Sequence, residues 1–280
     1  MLNNKDLHAP INTNPNPKTK TNTPPRLLDI GCGTGILTHK MSTTFPHATC
    51  IGLDLTPPPS LRPRPANLHF FQGNITTQKP TQWTPTTTTT TTDGQPLPLP
   101  RDAHLFDYVF SRFLILGMSD WRAFIRREYA LLKPGGWAEI QDLAWEWYDA
   151  AGEIVSGEWG WLRCIAEDFE GRKGMDFACG RKAKGWMEEA GFVDVRVWEY
   201  RYPYCGSSEG SGEMRDFGLF NATTVPVALE HAIPRAMGIS SLEEREAMRA
   251  EMVRTLRPGT GRYQIFYVTV GRKPEGGGLS

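Results

Sequence analysis

The sequence predicts an α/β fold, an open and mostly parallel sheet covered by helices on both faces. Three observations predict it. Short apolar runs alternate with helix-like stretches between Arg26 and Leu143, the pattern of successive strand and helix units. Gly31, Gly33 and Gly35 punctuate the step from the first strand to the first helix, where bare backbone and left-handed conformations are needed. Asp54 closes the second strand, at the carboxyl edge where open α/β sheets bind ligands.

Taken in order, residues 1–25 are rich in Asn, Pro, Thr and Lys with almost no apolar periodicity, and this composition predicts a mobile arm. A domain is expected over residues 26–275 and a flexible tail over 276–280. Leu27, Leu28 and Ile30 form the first strand, the glycine loop follows, and Ile36 to Thr44 is helical. Further strands are expected at Thr49 to Leu53, Leu68 to Gln72, Phe106 to Phe110 and Trp137 to Leu143, with a helix over Trp121 to Leu132. Pro134, Gly135 and Gly136 mark the turn between that helix and its strand. A helix ending near Gly191 precedes a strand from Val193 to Tyr200, and a last strand runs from Tyr263 to Gly271.

Three segments interrupt this order. Residues 76–104 hold the run Thr86 to Thr92 and then Pro96, Pro98 and Pro100, a low-complexity surface excursion rather than a core element. Residues 144–180 carry Trp145, Trp147, Tyr148, Trp159 and Trp161. These aromatics fit core packing, or the wall of a pocket for an aromatic or cationic amine. Residues 201–262, with helical candidates Val225 to Met237 and Leu242 to Leu256, are too long for a simple connection. Both later segments are expected to form a substrate region or lid.

Composition narrows the function classes. The 280 residues are 39% apolar and 22% charged, with 31 basic against 31 acidic side chains. That is ordinary for a globular protein and argues against bulk electrostatic capture of nucleic acid. The N-terminus has no apolar h-region and no stretch is apolar enough to span a membrane, so a cytoplasmic protein, or a nuclear one if its role is regulatory, is expected. Five scattered cysteines, Cys32, Cys50, Cys164, Cys179 and Cys205, form no C-x-x-C pair and no zinc spacing; free thiols and no metal are expected.

The candidate ligand residues follow the strand ends. Asp29, Gly31, Cys32, Gly33 and Gly35 form an alternating G-x-G-x-G loop. Dinucleotide sites use G-x-G-x-x-G to seat a pyrophosphate on a helix N-terminus, so the tighter spacing suits a ligand without phosphate. Asp54, with Leu55 beside it, can accept hydrogen bonds from both hydroxyls of a ribose. Asn74 and Ile75 offer an amide and an apolar side chain to an adenine edge and face, although Asn74 equally reads as a turn residue. Ser111 ends the fourth strand within reach of the same ligand.

LLDIGCGTG, IGLDL, FDYVFSRF and LLKPGGWAEIQD, in this order and at these separations, resemble the successive motifs of class I S-adenosylmethionine (SAM)-dependent methyltransferases. More narrowly, phrases at Phe45, Phe106 and Leu132 and the segment Val268 to Pro274 are similar to the fungal LaeA-like methyltransferases of secondary metabolism. The resemblance implies a Rossmann-like, seven-stranded class I methyltransferase sheet, mostly parallel with an antiparallel last strand, and helical insertions forming the substrate region. It implies SAM as cofactor and transfers Asp29, Gly31, Gly33, Gly35 and Asp54 to cofactor-binding positions, with Asn74, Ile75 and Ser111 beside them. Family members carry a cofactor-covering segment ending in a phrase like Asp6-Leu7-His8-Ala9-Pro10-Ile11, so here that cover is expected to be shortened.

No catalytic base transfers. The candidates are Glu146 and Tyr148, after the fifth strand, and His231, on a helical candidate of the insertion; for each a solvated or satisfied side chain is the simpler reading. The resemblance implies methylation of an oxygen or nitrogen on a small natural product or modified peptide, or a LaeA-like regulator acting through protein partners. The short arm with only Lys5, Lys18 and Lys20 favours the enzyme. A nicotinamide-dependent oxidoreductase would require the missing G-x-G-x-x-G.

Overall fold

The computed structural model describes residues 6–11, 24–59, 63–86, 106–204, 212, 215–224, 227, 237–257 and 259–276. Eight strands form one sheet: β1 (Arg26–Ile30), β2 (Thr49–Asp54), β3 (Leu68–Gln72), β4 (Thr84–Pro85), β5 (Phe106–Arg112), β6 (Leu132–Leu143), β7 (Val193–Pro203) and β8 (Tyr263–Arg272), in the order β4-β3-β2-β1-β5-β6-β8-β7. β3, β2, β1, β5 and β6 run parallel, and β8 inserts antiparallel between β6 and β7. The order therefore reverses between β1 and β5, the switch point outside whose carboxyl ends a ligand crevice opens.

The central strands are buried on both faces, as a parallel sheet between helices requires: Leu27, Leu28, Ile51, Phe106, Val109 and Phe110 are all 0% exposed. Helix α1 (Ile36–Thr44) follows the glycine loop. Helix α2 (Trp121–Leu131) starts where the Asp120 carboxylate accepts from the Ala123 amide at 2.8 Å, satisfying one free N–H of the first turn. It turns Trp121, Phe124, Ile125 and Leu131 inward. Trp186 on α4 (Cys179–Glu189) stacks on Trp121 at 6.1 Å, closing that layer.

The insertions after β6 and β7 pack against each other. Helix α3 (Gly160–Ala166) has its first amides, those of Gly160 and Trp161, bound by the Glu251 carboxylate at 2.8 and 2.9 Å. Glu251 lies on α5 (Leu242–Thr255), within the helix expected over Leu242 to Leu256. The other candidate, Val225 to Met237, lies largely outside the described residues. Among the described residues no helix is long and apolar enough to cross a membrane.

Two expectations are corrected. The sheet has an eighth strand, the two-residue β4, which lies within residues 76–104. The surface excursion thus begins later than its composition suggested: Trp83 is 4% exposed and packs in the core, where its ring reaches the bare Cα of Gly73. Residues 87–105 lie outside the described residues. The mobile arm does not extend to residues 6–11. There the fully buried Glu139 carboxylate accepts from the amides of His8 and Ala9 at 2.8 to 3.0 Å, and Tyr108 and Gln141 also donate to it. The His8 ring meets the Tyr200 hydroxyl at 2.7 Å, so buried hydrogen bonds, with Leu7, Ala9 and Ile11 packed against the core, hold this strap.

Of the two readings of the tryptophans, core packing is the one the structure supports. Trp145, Trp147, Trp159 and Trp161 are at most 9% exposed. Trp147 contacts the other three rings and Tyr204 at 5.5 to 5.9 Å between centroids. Edge and tilted contacts of this kind are how large rings fill an interior.

Candidate cofactor site

A cleft of about 700 Å³ opens at the carboxyl edge of β1, β2, β3 and β5. That volume falls within the range of small-molecule sites, roughly 300–1,000 Å³. Gly31, Asp54, Leu55, Asn74 and Ile75 line it, so the fold brings together five of the expected residues from three separate strand ends.

The glycine loop needs glycine. Gly31, Gly33 and Gly35 have φ of 68°, 53° and 72°, a region that side-chain-bearing residues rarely enter. Close approach adds to this at two of them. A Cβ on Gly31 would come 2.5 Å from Leu114 Cδ2, and one on Gly35 2.5 Å from the Phe70 ring. The loop is tied across to β2: the Gly33 amide donates to Asp54 Oδ2 at 2.8 Å, while Oδ1 accepts from the Thr56 amide at 3.0 Å and from its hydroxyl at 3.2 Å. Asp54 thus presents a carboxylate at the lip, oriented by three donors.

Beneath the loop, Asp29 is 3% exposed and accepts from the Thr38 hydroxyl at 2.6 Å. Burial raises its carboxyl to about pKa 7, against the opposing pull of Thr38 and Arg112. Asp29 braces the loop from below and does not line the cleft. Cys32 packs under the bare Cα of Gly52 with its thiol pushed up by burial. The Asn74 side-chain oxygen accepts from the Thr76 amide and hydroxyl at 2.9 and 2.6 Å, so the turn reading of that residue applies as well. Ile75 is buried beside it, whereas Leu55 is 63% exposed at the rim.

Ser111 points elsewhere. It is 1% exposed and lies beside the buried Glu128 of α2 rather than in the cleft. Glu146 accepts from the Tyr148 hydroxyl and from Arg181, both at 3.1 Å, and Tyr148 stacks on Tyr263 at 5.4 Å; neither lines the cleft. His231 lies outside the described residues.

The opposite wall was not read from the sequence: Phe113, Leu114, Gly117, Met118, Ser119, Asp120 and Ala123 complete the cleft. Phe113 has φ of 55°, unusual for an aromatic residue. The available signal was an apolar run, Phe113 to Leu116, placed after a strand end and before the Ser119-Asp120 helix start, where neither periodicity accounts for it. Among the described residues neither later insertion lines the cleft; the approach is through Tyr202, whose ring meets Phe113 edge-on at 6.0 Å and Phe217 at 5.1 Å.

The profile of a family described as a methyltransferase domain matches residues 6–197, more than half of the chain. The methyltransferase pytC of Aspergillus terreus is 27% identical over 217 residues, 72% of this chain and 54% of pytC. The secondary metabolism regulator laeA of Coprinopsis cinerea is 26% identical over 187 residues, 64% of this chain and 42% of laeA. The chain spans about half the length of the curated relatives it matches. Among solved structures, Haemonchus contortus phosphoethanolamine N-methyltransferase 2 in complex with SAM is similar with a TM-score of 0.47 at 15% identity, over 89% of this chain and 49% of that one.

Proposed function

This chain belongs to the methyltransferase-domain family, and from that premise we propose that it binds SAM in the cleft and transfers the methyl group to an oxygen or nitrogen of a small natural product or modified peptide. The observation that carries the reading is the convergence on one cleft of a left-handed glycine at Gly31, a donor-oriented carboxylate at Asp54 and an apolar floor at Ile75. These fit the three parts of the cofactor. The Asp54 carboxylate suits two ribose hydroxyls; Ile75 and Leu55 suit the adenine faces, with Asn74 at its edge; the bare backbone at Gly31 lets the methionine portion approach. A pyrophosphate would meet no G-x-G-x-x-G nest here.

Bound SAM supplies a methyl group on a positively charged sulfur, open to displacement along the carbon–sulfur axis. The chain's contribution is alignment and exclusion of water. Phe113, Leu114 and Met118 wall the cleft with apolar surface, and the insertions over 144–180 and 201–262 are assigned to the acceptor side, reached through Phe113, Tyr202 and Phe217. Among the described residues neither Glu146 nor Tyr148 lines the cleft, and an acceptor that needs little help in losing a proton, a phenol or an amine, is the one assigned to this site.

Relatives named as regulators as well as methyltransferases make the decisive test one of turnover. The purified chain, incubated with methyl-tritiated SAM and a panel of phenolic and amine natural products, is expected to release S-adenosylhomocysteine and label an acceptor. Cofactor binding without transfer to any acceptor class would favour the regulatory reading instead.

A further inference from the structure

The end of β6 carries a buried acid behind the cleft wall. Asp142 is 1% exposed, and its carboxylate points at the turn leaving β5. Oδ2 accepts from the Leu114 amide at 2.7 Å, and Oδ1 accepts from the Leu143 amide at 2.9 Å. The turn it holds is strained. Phe113, in the left-handed region, still donates its amide to Gln141 O at 3.0 Å, so the chain leaves the ladder abruptly at the next residue. A residue kept in that region persists only where its surroundings fix it.

The turn also reaches the glycine loop. Leu114 Cδ2 occupies the space that a Cβ on Gly31 would need, and Phe113, Leu114, Gly117 and Met118 line the cleft. From the other side, the Cα of Gly180 in α4 packs on the carbonyl oxygens of Asp142 and Leu143, where a Cβ would lie 2.6 and 2.8 Å away. The strand end is clamped, and the turn hangs from it by Asp142.

We propose that Asp142 is a positioning residue, whose buried carboxylate holds the strained Phe113–Leu114 turn in register as the cleft wall facing the glycine loop and the bound cofactor. The hold on the turn stands on geometry alone; its consequence for binding rests on the cofactor reading of the cleft.

A carboxylate accepts these amides more strongly than the neutral acid does. Burial, the larger influence, raises Asp142 to about pKa 7 against the pull of the Leu143, Leu114 and Ile115 amides. The ionisable groups around it titrate elsewhere. The Cys179 thiol on α4 is pushed up by burial and by Asp142 itself, Tyr267, opposite on β8, is raised to about 12, and the turn from Phe113 to Ser119 contains none. Below about pH 7 the carboxyl gains a proton and its grip on Leu114 weakens. Binding that needs the wall in place then favours the ionised form, so affinity falls with pH.

Two readouts on the full chain test this. The Leu114 amide resonance in ¹H–¹⁵N spectra of the ligand-free protein is expected to titrate with a midpoint near 7 and to stop doing so in Asp142→Asn. A Leu114 amide that shows no titration, or one that is unchanged in the variant, overturns the proposal. The wild-type titration needs no variant, so a poorly folded Asp142→Asn leaves it decisive. In calorimetry with S-adenosylhomocysteine, the wild type is expected to bind about fivefold more weakly at pH 6 than at pH 8, for a binding-induced pKa drop of about one unit. Asp142→Asn should lose that dependence and Asp29→Asn retain it; the reverse pattern assigns the effect to Asp29 and overturns the binding role. A Leu114 amide that titrates in a chain that binds the ligand at neither pH supports the hold on the turn and rejects the cofactor reading of the cleft.

Discussion

Replacing Glu128 with Gln should make the protein progressively more stable than the wild type as pH rises. Glu128 sits on the inner face of α2 at 0% exposure, and among the described residues neither carboxyl oxygen has a hydrogen-bond partner. Burial pushes its carboxyl well above the ordinary range, with the nearby Ser111 hydroxyl opposing to a lesser degree. The folded chain therefore keeps the proton while the unfolded chain releases it above about pH 4.3. A raised folded-state pKa means that the neutral acid's contribution is complete below the unfolded pKa and is lost as pH rises toward the folded one. The loss is about 1.4 kcal/mol per pH unit over that window, so two units remove about 2.7 kcal/mol from a total that is typically 5–15 kcal/mol. Glutamine keeps the shape and has no proton to lose. Asp29 and Asp142, both raised to about 7, titrate in both proteins and cancel in the difference. Urea unfolding in half-unit steps from pH 5 to 8 reads that difference directly. A gap between variant and wild type that does not change with pH would refute a protonated Glu128 in the folded core.

Other perturbations have comparably direct readouts. Trp147→Ala empties the centre of a five-ring cluster and should cost about 3–5 kcal/mol in urea unfolding, whereas a residue lining a substrate pocket would cost far less and alter binding. Glu251→Ala frees the Gly160 and Trp161 amides at the start of α3 and should cost about 0.5–2 kcal/mol, with faster hydrogen exchange confined to α3 and α5. Gly31→Ala combines φ of 68° with a collision against Leu114, and should lower stability by about 1–3 kcal/mol while weakening SAM binding; normal affinity in this variant would mean that the ligand does not approach the loop.

The central strands were legible in the sequence because they are buried on both faces and so read as short apolar runs, as at Leu27-Leu28 and Val109-Phe110. The glycine loop and Asp54 were legible because left-handed backbone and a strand-end carboxylate each limit the residue types that serve. Trp83 was missed as core because a single ring within a polar stretch leaves no periodic trace, although it is 4% exposed. The docked strap was missed for a different reason: Glu139 holds His8 and Ala9 by their backbone amides, which every residue but proline possesses. The Phe113 wall depends on a left-handed aromatic residue and on the next amide, that of Leu114, bound by an acid 28 positions away, a tertiary constraint on a segment with no regular pattern. Ser111 was drawn toward the ligand by its place at a strand end, but alternation along β5 turns it to the α2 face.

Calorimetric titration of the 280-residue chain with SAM, beside Asp54→Ala and with NAD as control, asks whether the cleft is a SAM site. Micromolar binding of SAM is expected, weakened tenfold or more by Asp54→Ala, a loss of about 1.4 kcal/mol or greater, with no heat from NAD. A folded chain that binds NAD, or that binds SAM equally well without the Asp54 carboxylate, would contradict the SAM reading.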